Sequence, residues 1–105
     1  MTMPSTRAVH VYHNAFEDEM RYVASIIVSS RMPMDEVLDK VYQDTNTIHQ
    51  PWVKNESVVL SAAVEEAGGC RSTSRGDRIN IVEAGGGSIW YEVATFGFDR
   101  IVAPI

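Results

Sequence analysis

RSTSRGDRINIVEAGGGSIWYEVATFGFDRI, residues 71–101, holds the densest strand and turn signals of the chain. Residues 78–83 alternate Ile79 and Ile81 against Arg78, Asn80 and Val82, the period of a half-buried strand. Gly85, Gly86 and Gly87 supply a flexible turn, and residues 89–96 are rich in β-formers, so the spacing predicts a hairpin. Gly97 interrupts the pattern at an expected bulge or sharp bend, after which Phe98 and Ile101 are expected to return to the core. Ahead of the hairpin, Ser72 and Ser74 can bond nearby backbone, Gly76 supplies an angle other residues resist, and Asp77 can close a turn. This cluster is expected to fix the entry into the hairpin.

Working outward, residues 58–64 alternate well enough for a strand, with a helical turn through residues 61–67 as the competing reading because Ala and Glu favour helix. Residues 46–57 read as a loop that carries a large aromatic, Trp52. Residues 32–45 form the one convincing helix. Pro33 sits near its first turn, Met34, Val37, Leu38, Val41 and Tyr42 make one apolar face, and Asp35 and Glu36 lie where the helix dipole favours carboxylates. Residues 21–28 form a strand with Tyr22, Ala24, Ile26 and Val28 on one face and Val23 and Ile27 on the other. Being apolar on both sides, it is expected to lie centrally and to be covered twice. Residues 8–13 place Val9, Val11 and His13 on one face and His10 and Tyr12 on the other. The order predicts an α+β domain with a mainly antiparallel sheet of four to five strands and one packed amphipathic helix, spanning residues 8–105 behind a flexible arm of residues 1–7.

A chain of 105 residues is long enough for one core and too short for two. No apolar run, that of residues 24–28 included, approaches the ~20 residues a spanning helix needs, and residues 1–7 carry no export pattern, so no membrane partner is expected. The single cysteine, Cys70, cannot close an intramolecular disulfide, and a reducing, cytoplasmic setting is the default. A net charge of −5 disfavours extended contact with phosphate backbones, which makes nucleic acid the less favoured partner.

Several constellations invite chemistry and have plainer explanations. The triple glycine leads into a strand, whereas a phosphate loop leads into a helix. His10 and His13 are three apart on a strand and so point to opposite faces, leaving no metal or other cofactor to expect. Cys70 lacks a nucleophile signature, and no catalytic residue is assigned. Arg75, Gly76 and Asp77 form an adhesion-type tripeptide in a chain with no sign of secretion. Arg71, Arg75 and Arg78, interleaved with Ser72 and Ser74, are the one basic concentration and could bind an anion or RNA, but no stacking platform accompanies them in sequence.

The run Arg71, Ser72, Thr73, Ser74, Gly76, Asp77, followed by Tyr91, Gly97 and Phe98, resembles the closing segment of YodL-like domains, small proteins of bacteria, plasmids and phages. The loop residues Asn46, Ile48, Trp52 and Asn55 resemble the segment that precedes this motif in related phage proteins. The resemblance covers about the last sixty residues, and Arg75 stands where that family commonly has a small apolar residue. It implies a binding or regulatory module and transfers no catalytic residue. The expectation is therefore a small accessory protein, phage- or mobile-element-encoded, that binds a host or phage protein through Trp52, His49, Lys54 and Asn55, with a homodimer expected because Val23 and Ile27 need cover. The alternative is anion or nucleic-acid binding at Arg71, Ser72, Ser74, Arg75 and Arg78.

Overall fold

In the computed structural model, residues 6–15, 18–45, 58–67, 71–83 and 85–104 are described. The sheet is assembled on β1 (Thr6–His13), which pairs antiparallel with β2 (Arg21–Ser29) on one side and with the hairpin strand β4 (Arg78–Val82) on the other. A two-residue β3 (Val59–Leu60) extends the sheet beyond β2; β5 (Ser88–Val93) and β6 (Phe98–Ile101) extend it beyond β4. The order is β3-β2-β1-β4-β5-β6, antiparallel throughout. The α+β class and the hairpin are as the sequence implies, with six strands in place of four to five. The additions are the very short β3 and the separate β6 that Gly97 makes possible.

The helix α1 (Met34–Asp44) buries Val37, Leu38 and Val41 against one face of the sheet, with Met34 and Tyr42 packed beside them. That face supplies Val9, Val11, Ala24, Ile26, Val28, Ile79, Ile81 and Val93 to a single core. Both readings of residues 58–64 hold in part. Ser61 donates its N–H to the Val23 carbonyl at 2.9 Å, ending the strand pairing, while its hydroxyl accepts the Val64 N–H at 3.3 Å and starts α2 (Ala62–Ala67). Val64 then joins the core.

The second strand departs from strict alternation. Val11 pairs with Ala24 and Tyr12 with Tyr22, so Val23 is an extra residue, a β-bulge. Beyond it the side chains change face. Val23 turns into the core, and Tyr22 leaves the Ala24, Ile26 and Val28 face for the opposite one. The strand is not covered twice: it lies next to the edge, and Ile27 is 59% exposed. Ile101 is a second correction. Three residues from Phe98 in a strand, it lies on the other face, opposite Trp90, while Phe98 packs on the core. β1 begins at Thr6, inside the arm expected to be flexible; Arg7 there bonds Glu83 through Nε and the Met32 carbonyl through Nη1, both at 2.9 Å.

Candidate functional site

The motif of residues 71–77 closes around one carboxylate. Asp77 is fully buried, and its Oδ1 accepts the backbone N–H groups of Asn14 (2.7 Å) and Ala15 (2.9 Å) as well as Arg71 Nη2 (2.8 Å). Its Oδ2 accepts the Ser74 N–H (2.7 Å) and Arg71 Nη1 (2.6 Å). Burial pushes this carboxyl up. The Arg71 guanidinium and the Ala15, Asn14 and Ser74 amides outweigh that push and hold it below the ordinary carboxylate range. His13 lies on the core face, its Nε2 3.1 Å from Thr73 Oγ1 and 3.9 Å from Asp77 Oδ2. The Thr73 N–H donates to the Thr45 carbonyl at the end of α1, tying the segment to the helix.

This arrangement places the predicted anion site residue by residue. Arg71 is the counter-ion of Asp77, and Arg78 pairs with Glu92 across the sheet at 3.4 Å. Arg75 projects from the turn closed by the Asp77 N–H on the Ser74 carbonyl and donates to the Thr95 hydroxyl at 3.1 Å. Ser74 Oγ donates to the Ser72 carbonyl at 3.3 Å, which also accepts Arg71 Nη1. Each of the three arginines is thus engaged within the chain by a different residue, Asp77, Thr95 or Glu92. The adhesion-type tripeptide is not displayed, because its aspartate is the buried Asp77. The His13, Thr73 and Asp77 group resembles a catalytic constellation in composition, and all three side chains are buried. His49, Trp52, Lys54, Asn55 and Cys70 lie outside the described residues.

The opposite face of the sheet carries a second group of side chains. Cross-strand pairing sets its rows: Tyr22, Tyr12, Arg78, Glu92 and Asp99; then Val59, Ser25, His10, Asn80, Trp90 and Ile101; then Ile27, Ala8, Val82 and Ser88. Four rings form a connected set. His10 meets Tyr22 edge-on at 5.8 Å, Tyr22 meets Tyr12 at 5.6 Å, and Tyr12 meets Trp90 at 5.1 Å between centroids. Ser25 Oγ links the Tyr22 hydroxyl to His10 Nδ1, the latter at 2.6 Å. Trp90 is only 7% exposed, so it is a floor for the group, whereas Tyr22 (40%), Ile27 (59%) and Val59 (64%) stand out of it. Burial, then the neighbouring Tyr22, pushes the Tyr12 phenol up, keeping it a neutral donor.

Ser25 and His10 have the spacing of a nucleophile and base. They lie on a sheet face, and the concavity lined by Ser74, Arg75, Thr95 and Tyr42 includes neither residue. Nor do the alternating faces of β1 bring His10 to His13, and no cluster of three or more His, Cys, Asp or Glu placed for a metal ion occurs among the described residues. None of the described helices is long and apolar enough to cross a membrane. Comparison with protein-family models, curated proteins and solved structures returns no match.

The aromatic face had a partial signal in sequence. Alternation puts His10 with Tyr12, and Asn80 on the same parity as Arg78. What joins Tyr22 and Trp90 to them is the bulge at Val23 and the strand order, both tertiary facts.

Proposed function

We propose that this protein is a binding module that docks another protein chain on the open face of its sheet. The observation that carries the reading is the ring set His10, Tyr22, Tyr12 and Trp90, continuous with exposed Ile27 and Val59 on a face that holds no described helix. Aromatic side chains bury large area at low entropic cost, and apolar residues beside them exclude water; interfaces concentrate their energy in such groups. The surface expected at Trp52 is thereby joined by one on the sheet.

Nucleic acid fits this face less well. Arg78 pairs with Tyr12 across β1 and β4, which is the start of a stacking platform, but Glu92 and Asp99 continue the same row and would meet phosphate with like charge.

The test is a pair of surface variants, Tyr22→Ser with Ile27→Ser, compared with the parent for retention of protein partners at equal folded concentration. Loss of retention supports the face. Retention unchanged, with an unchanged melting transition, assigns binding elsewhere and overturns it.

A further inference from the structure

The occupant of the open face follows from how the face matches itself. We infer that it is a second copy of this chain, stacked sheet on sheet about a two-fold axis that runs along the strands between β1 and β4. The inference rests on the reading that this face binds protein, and it names the protein.

The six-stranded order has its centre between β1 and β4, so this axis sets β1 against β4, β2 against β5 and β3 against β6 of the second copy. Along the middle row, Val59 at one end meets Ile101 at the other, apolar on apolar. In the first row Tyr22 meets Glu92, a phenol donor on a carboxylate, and Tyr12 meets Arg78, a ring under a guanidinium. In the third row Ala8 meets Val82, and Ile27 meets Ser88 at the rim. Each contact occurs twice, as a two-fold interface requires. No like charges are opposed: Arg78 faces Tyr12, Glu92 faces Tyr22, and Asp99 at the end of the row lies beyond the reach of the two-residue β3. Sheets stacked in this way keep their strands within about 30° of each other, an angle the same two-fold bisects.

Size sets how strong such a dimer is. Six strands about 4.8 Å apart and three rows of side chains give a footprint of roughly 500 Å² per copy, and a specific interface needs about 1,000 Å² in total. The dimer is therefore a weak one. It is populated at high protein concentration and dissociates on dilution.

Val59 and Ile101 make the test, because they lie on the two outermost strands of one sheet and any coupling between them must pass between molecules. Both lie outside the core cluster, so the fold tolerates their replacement. Sedimentation velocity from low micromolar to several hundred micromolar is expected to show the parent passing from monomer to dimer. Val59→Lys and Ile101→Glu are each expected to weaken the dimer at least tenfold, and an equimolar mixture of the two is expected to recover at least half of the dimer signal by pairing lysine with glutamate. A parent that stays monomeric throughout, a dimer indifferent to both variants, or a mixture without recovery overturns the self-pairing. The face reading is scored separately: a monomeric parent that still loses a protein partner on Tyr22→Ser with Ile27→Ser keeps the docking face and discards the second copy.

Discussion

The Tyr12 and Tyr22 rings stand 5.6 Å apart on one face of the sheet because Val23, between Tyr22 and Ala24, is the extra residue of a bulge. Without it Tyr22 would point into the core with Ala24, and Val23 would point out. One inserted residue thus both fills the core and completes the aromatic face.

That exchange of faces is measurable. Tyr22→Ser, on the exposed side, is expected to lower stability by about 1 kcal/mol or less, whereas Val23→Ser, in the core, is expected to cost about 3 kcal/mol through lost packing and a buried hydroxyl. Urea denaturation of both variants checks the order. Strict alternation requires the reverse.

Asp77 joins the segment of residues 71–77 to the β1–β2 connection through the Asn14 and Ala15 amides. Asp77→Asn removes the charge that Arg71 and the three backbone donors converge on, and is expected to cost about 3–5 kcal/mol. Chemical denaturation reads this directly. A loss under 1 kcal/mol means that the carboxylate does not hold the segment.

The same carboxylate gives stability a dependence on pH with a definite sign. Its folded pKa lies below the unfolded value of about 3.9, so the folded state holds fewer protons and the stabilisation is fully present above that pH. It is lost as the pH falls through the folded value. Denaturation midpoints from pH 7 down to pH 2 are expected to drop below about pH 4 in the parent, and to drop less in Asp77→Asn, which has no proton to take up at this position.

Gly76 and Gly86 both adopt positive φ, +95° and +97°, in different surroundings. A Cβ on Gly76 would lie 3.1 Å from the Ala15 Cβ, and one on Gly86 meets nothing within 4 Å. Gly86→Ala is expected to cost about 1 kcal/mol of backbone strain alone, and Gly76→Ala about 1 kcal/mol more because Ala15 must also give way. Thermal melts of the pair separate the two effects, and equal losses remove the steric part.

Much of the architecture was open to reading along the chain. The alternation of residues 8–13 and 78–83, the glycine turn and the helical face of Val37, Leu38 and Val41 are local patterns, and each formed as its period requires. The motif of residues 71–77 was legible as a turn device. Its full meaning was not, because two donors to Asp77, Asn14 and Ala15, come from more than sixty residues away.

Side-chain period and glycine and proline geometry act within a few residues, and they were enough for the strands around residues 8–13, 21–28 and 78–83, the helix α1 and the glycine turn, but left residues 58–67 open between strand and helix and did not resolve β6 as a separate strand. Tertiary structure alone decided the rest: that Arg71 and Arg78 answer to Asp77 and Glu92, that Val23 bulges, and that Tyr22, Tyr12, His10 and Trp90 meet on one face. Strand order and register bring these groups together, and both are settled by burying one common core, a property of the whole chain that no local window contains.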